Sequence, residues 1–148
     1  MITATLRRMT DEDLHTVFAA RNDEEVIRFS DSGKAISYQE FEALFKFNKN
    51  HRLVFEYNGK MSGYIELSRF NEDEGYTTWS FFLFPEARGK KLSTLMLDLS
   101  LRVLKDMPFD RVKSTVHKNN LPSIALHKKL GFESRDGSNG MATFWKDL

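Results

Sequence analysis

The chain has 148 residues, 41% hydrophobic and 13% aromatic, with 13 phenylalanines and no cysteine. That length suits one domain over residues 1–148, able to bury roughly two thirds of its unfolded surface. The composition excludes a disordered chain, a disulfide scaffold, thiol chemistry and cysteine-bound zinc. Lys and Arg number 22 against 21 Asp and Glu, a formal net charge of +1, so no global field draws nucleic acid or an anionic membrane. No apolar run approaches the ~20 residues of a membrane span, and MITATLRRMTDEDLHT lacks the apolar stretch of a signal peptide, so a cytoplasmic protein is expected.

Along the chain, the alternation from Ile2 to Arg8 predicts a strand, and Thr10 followed by three acids predicts a helix over about 11–20. RNDEEVIRFS suggests a further helical turn with Val26, Ile27 and Phe29 inward, then a loop over 30–36. Ser37 to Glu40 forms a capping box, with Phe41, Leu44 and Phe45 at helical spacing, giving a helix over about 38–49. The period then becomes two: HRLVFEY and KMSGYIELSRF flank Asn58-Gly59, a hairpin signal, and a turn at NEDEG leads to YTTWSFFLF. A helix over about 91–107 presents Leu92, Leu95, Met96, Leu99, Val103 and Leu104 on one face and ends at Pro108. RVKSTVH is a strand, PSIALHKKL a helix closed by Gly131, and MATFWKDL a last strand. The order predicts an α/β fold with a mixed sheet.

One junction carries chemistry. In FPEARGKKLSTLML a strand gives way, through Arg-Gly-Lys-Lys, to the start of a helix. Backbone N–H groups and the positive dipole end gather there, which suits an anion, most naturally phosphate, with Gly89 allowing close approach and Arg88, Lys90 and Lys91 adding charge. The spacing is neither GxxxxGK[ST] nor GxGxxG, so those two nucleotide motifs drop out. An ordinary polar turn with solvated cations is the alternative that spacing alone leaves open.

The same stretch resembles the acetyl-CoA pyrophosphate loop of the GNAT N-acetyltransferases, R/Q-x-x-G-x-G/A between a strand and a helix. The resemblance continues downstream: VHKNNLPSIALHKKLGF is similar to that family's Asn followed by A-I-x-L-Y-x-K-x-GF, through Asn120, Ser123, Ile124, Leu126, Gly131 and Phe132. It implies a mostly antiparallel mixed sheet flanked by helices and an enzyme, an N-acetyltransferase, with acetyl-CoA as donor. It implies cofactor contacts from Phe82, Leu83 and Phe84 on a strand that splays from RVKSTVH, from Arg88 through Ser93, including Leu92, and from Asn120, Ser123 and Leu126. Lys91 and Ser93 stand where the motif has glycine and a small residue, and Lys91 would serve if its backbone were helical.

Among catalytic candidates, His127 replaces the family's usual tyrosine and could protonate the leaving thiolate; packing against the cofactor is the alternative. Thr78 stands where relatives carry a glutamate base. Glu66, amid GYIEL, is the replacement candidate, against a solvent-facing strand position. No spacing suggests a metal. The segment from Arg21 resembles R-N-x-x-x-V-R in acetyltransferases of nucleotide-linked amino sugars, particularly of the pseudaminic acid pathway, and ribosomal-protein N-acetyltransferases share parts of it. By that resemblance Arg21, Arg28, Lys34 or Arg69 would meet a diphosphate, Asn22 would belong to the substrate site, and Phe29 or Trp79 would stack on base or sugar. The acceptor expected is a small-molecule amine, with the sugar nucleotide favoured over a protein N-terminus and with a homodimer allowed. A non-catalytic acyl-CoA-binding module is the alternative of a different class.

Overall fold

The computed structural model describes residues 2–30, 32–68, 75–135, 137 and 139–148. The sequence forms β1 (Ala4–Arg8), α1 (Leu14–Arg21), α2 (Glu24–Phe29), α3 (Tyr38–Phe47), β2 (His51–Tyr57), β3 (Lys60–Leu67), β4 (Tyr76–Leu83), α4 (Leu92–Lys105), β5 (Arg111–His117), α5 (Leu121–Lys129), β6 (Glu133–Arg135) and β7 (Met141–Asp147). The acids after Thr10 form a 3-10 turn (Asp11–Asp13) ahead of α1 rather than its first turn. The Thr10 N–H donates to the Asp13 carboxylate at 2.8 Å, and the Arg7 guanidinium grips that carboxylate at 2.7 and 3.0 Å. At α3 the N-cap half of the expected capping box forms, the Glu40 N–H donating to Ser37 Oγ at 3.1 Å, while the Glu40 carboxylate accepts from the Ser37 hydroxyl at 3.1 Å. Most of the NEDEG turn, and Arg69, lie outside the described residues.

Among the described residues seven strands make one sheet in the order β1-β2-β3-β4-β5-β7-β6, and of its pairs only β4 and β5 run parallel, joined by the α4 crossover. The fold is thus the expected mixed, mostly antiparallel sheet between helices. β6, too short and exposed to read from its sequence, is the strand that reading missed.

Each face of the sheet has its own core. On one, Phe55, Ile65 and Trp79 meet α4 through Met96, Leu97 and Leu104; on the other, Val54 and Tyr64 meet Leu14 and Val17 of α1 and Phe41 of α3. The buried face of α4 is Leu92, Met96, Leu97, Ser100, Leu101 and Leu104, which corrects the expected stripe. This helix has leucine nearly all round, so periodicity alone does not fix its rotation. Gly63 helps to fix it: a Cβ there would meet Met96 Sδ at 2.6 Å, so the bare backbone admits the helix close to β3.

β4 and β5 pair only from Tyr76↔Arg111 to Trp79↔Ser114. Beyond that point β4 continues with β3 as far as Gly63↔Leu83, while β5 continues with β7 as far as His117↔Met141. The two strands are drawn to different neighbours, and a gap opens between 80–83 and 115–117.

Candidate active site

Pairing parity decides what β4 offers the gap. The Phe84 N–H donates to Ser62 O at 2.9 Å and Thr78 O accepts from the Ser68 N–H at 2.8 Å. In the 62↔84 register the even-numbered residues therefore direct their backbone groups to β3. Phe81 and Leu83 direct theirs to the gap. Of the three positions expected to meet the pantetheine arm, Leu83 stays, Phe82 and Phe84 are corrected, and Phe81 is added. The period-two rule that identified the strand could have found it.

Past Leu83, a single 3-10 turn (Pro85–Ala87) leads to a loop with two left-handed residues, Gly89 at φ 76° and Lys91 at φ 60°. The N–H groups of Gly89, Lys90, Lys91, Leu92 and Ser93 have no backbone acceptor among the described residues. Five donors at the start of a 14-residue helix, beside the exposed Lys90 and Lys91, suit a diphosphate. The condition set for Lys91, a helical backbone, is not met: it caps α4 in the left-handed conformation that the motif's glycine adopts freely. Leu92 offers only backbone, because its side chain is buried.

Arg88 is engaged elsewhere. Its Nη2 donates to Asp23 Oδ2 at 2.6 Å and its Nε lies 2.8 Å from Glu25 Oε2, so it fastens this loop to α2. That guanidinium holds the Asp23 carboxyl below the usual carboxylate range. On α5, Asn120 is the N-cap, its Oδ1 accepting from the Ser123 N–H at 3.4 Å. Leu126 packs on the core beside it.

His127 lies where a proton donor to a thiolate could not work. It is fully buried, ringed by Trp79, Phe81, Phe132 and Phe144. Its Nδ1 is 2.7 Å from Ser123 O, which requires the proton there. Its Nε2 accepts from Trp79 Nε1 at 3.4 Å. Burial pushes its pKa down, opposed by the bond to Ser123 O, so the ring is a neutral strut between α5 and β4. Trp79 is 2% exposed with its indole in the α4 core, which removes it as a stacking platform.

Glu66 sits on the other face, at the root of the gap. Its Oε1 accepts from the Tyr64 hydroxyl at 2.6 Å and lies 3.2 Å from Arg52 Nε, and its Oε2 accepts from Asn50 Nδ2 at 3.0 Å. Burial and the Glu66 charge push the Tyr64 phenol well above its ordinary pKa, so it stays a donor. Register puts Glu66, Thr78, Ser80, Lys113 and Thr115 on this face. A cavity of about 220 Å³ among Asn50, Glu66, Thr78, Ser80 and Thr115 opens here. Asn50, Arg52 and Tyr64, which set the carboxylate, were not legible as a group because they come from the approach to β2, from β2 and from β3.

The residues expected to meet the acceptor divide. Asn22 bonds the Ile36 backbone twice, at 2.7 and 2.9 Å, and the Arg21 guanidinium donates to Lys34 O at 3.4 Å, so both clasp the 30–37 loop rather than face a ligand. Phe29 lies edge-on to His117 at 5.9 Å with the Arg28 guanidinium over it at 4.9 Å. Among the described residues, no cluster of His, Asp and Glu could hold a metal ion, and no helix is long and apolar enough to cross a membrane.

A strand pair splayed over a phosphate-binding helix start is the geometry of the GNAT fold, and the comparisons agree. A family model described as an acetyltransferase (GNAT) domain matches residues 4–133. The chain is 31% identical over 136 residues to the uncharacterized N-acetyltransferase YokL from the SPbeta prophage of Bacillus subtilis strain 168, covering 86% of this chain and 75% of that one. It is 27% identical over 135 residues to the spermidine N(1)-acetyltransferase of Escherichia coli K12, covering 86% and 71%. The structure of spermidine N-acetyltransferase from Vibrio cholerae in complex with CoA and spermine superposes with a TM-score of 0.85 at 19% identity, covering 97% and 95%. The chain belongs to the GNAT acetyltransferase family. It is an N-acetyltransferase, and acetyl-CoA is its acyl donor.

Proposed function

We propose that this enzyme acetylates the primary amine of a small molecule held over the open half of the sheet, at the mouth of the β4–β5 gap. The observation that carries this reading is the end of β4–β5 pairing at Trp79↔Ser114: the freed stretch with Phe81 and Leu83 leads along the chain to the five backbone donors of residues 89–93, and Glu66 pairs in register with Ser80 at its start. Backbone N–H groups of Gly89 to Ser93 hold the diphosphate, and Phe81 and Leu83 hold the pantetheine arm. The Phe81 N–H, first past the last β4–β5 pair, polarises the thioester oxygen.

In the transfer, the amine nitrogen bonds to the carbonyl carbon as the C–S bond breaks. Glu66 attracts the ammonium and takes its proton through water, while the departing thiolate takes a proton from solvent. His127 stays neutral and supports β4. The nucleotide-linked amino sugar loses its support, because Arg21, Asn22 and Trp79 are committed to the loop clasp and the core. The relatives named for spermidine make a polyamine the rival acceptor.

A substitution at Gly89 tests the reading. No atom lies within 4 Å of a Cβ built there, so Gly89→Asp adds charge beside the donors without a clash, although its φ of +76° strains any side chain. Acetyl-CoA affinity should fall at least about tenfold in calorimetry, the loss of one charge-assisted contact, with circular dichroism unchanged. Wild-type affinity in that variant would sink the assignment. Release of free thiol with an amine panel, above the hydrolysis background, excludes a pure binding module.

A further inference from the structure

A second cavity, of about 560 Å³, adjoins the Glu66 cavity, since Thr115 lines both. Arg28 and Ser32 wall it from α2 and the following loop, Lys113 and His117 from β5, and Thr143 from β7. Arg28 and Lys113 have no carboxylate partner among the described residues. Each instead rests on an aromatic ring, Arg28 over Phe29 at 4.9 Å and Lys113 Nζ over Trp145 at 5.6 Å. Such contacts position a cation without neutralising it. No carboxylate lines this cavity among the described residues, whereas the adjoining one holds Glu66. The paired cavities thus present cations at one end and an acid at the other.

We infer that the acceptor amine carries an anionic group, a carboxylate or a phosphate, which binds between Arg28 and Lys113 while the amine reaches past Thr115 towards Glu66. The inference rests on the acetyl transfer proposed above and names its substrate class. Hydroxyls of Ser32 and Thr143 add neutral donors to the anion end. A polyamine would set like charge against Arg28 and Lys113, and a protein N-terminus without an anion would leave both unpaired.

Matched pairs of acceptors test this: glucosamine 6-phosphate against glucosamine, and methionine against methioninamide, with spermidine as the cationic arm and free thiol as the readout. At least one anionic member should show kcat/KM about tenfold or more above its neutral partner and above spermidine, the yield of one charge-assisted bond. Which pair responds tells phosphate from carboxylate. Arg28→Gln or Lys113→Gln should each lower that ratio about tenfold, chiefly through KM, and Arg28→Lys should restore most of it. Neutral or cationic acceptors equal to or better than the anionic ones would overturn the inference. So would acetyl-CoA binding with no turnover of either anionic member. Loss of acetyl-CoA binding itself in wild-type enzyme would instead bring down the acetyl-transfer reading.

Discussion

Lys91 holds φ at +60° at the head of α4, a conformation that disfavours any residue with a Cβ. Lys91→Gly should therefore raise stability by about 0.5–1 kcal/mol in urea unfolding, the left-handed penalty less the added freedom of the unfolded chain. A loss of stability would show that the lysine side chain makes a contact the backbone argument omits. His127 makes the opposite point, since its burial favours the neutral ring. With a folded pKa below the unfolded value of about 6.5, the protein binds fewer protons than its unfolded chain as pH falls, so stability drops progressively below that value. In His127→Phe this decline should vanish, at the expense of about 1–3 kcal/mol for the orphaned Trp79 N–H. Turnover per folded molecule should fall less than about tenfold, against the 10²–10⁴ of a lost general acid.

At the scale of elements, Arg88 ties the loop before α4 to the start of α2. Arg88 spans 65 residues to Asp23, whose own carboxylate caps α2 by accepting from the Glu25 N–H at 3.1 Å. Because Arg88 is occupied there, Arg88→Ala should change acetyl-CoA affinity less than about threefold, well under the effect of a lost charged contact. It should raise KM for the acceptor, since α2 carries Arg28 and Phe29. A tenfold loss of acetyl-CoA affinity would show that Arg88 leaves Asp23 for the diphosphate. Most elements were legible one by one: Ser37-Glu40 starts α3, Asn58-Gly59 turns β2 into β3, and Gly131 follows α5. Local chemistry decides each of these. The rotation of α4 and the existence of β6 were not legible, because an all-round leucine helix and a three-residue exposed strand take their placement from their neighbours.

Across the whole molecule, the sheet separates two cores. Leu14 belongs to the core under α1–α3 and Leu97 to that under α4 and α5. Leu14→Ala and Leu97→Ala should each destabilise by about 2–5 kcal/mol. Their effects should add to within about 0.5 kcal/mol in the double variant. Coupling above about 1 kcal/mol would mean that strain crosses the sheet. The same division sets the two faces apart: the α4–α5 side is closed by packing, and the other holds both cavities.

By itself the sequence determined most of the order of helices and strands, the strand-to-helix junction around Gly89 and the resemblance to the GNAT family, because periodicity, caps and turn residues act over a few positions. Tertiary structure decided which residues remain for chemistry. Trp79 and His127 meet across 48 residues and withdraw into the core, Arg88 turns to Asp23, Arg21 and Asn22 clasp a loop, and Glu66 gains Arg52, Tyr64 and Asn50. Each outcome depends on a partner distant in sequence, and a side chain is free for a ligand only when no such partner has claimed it.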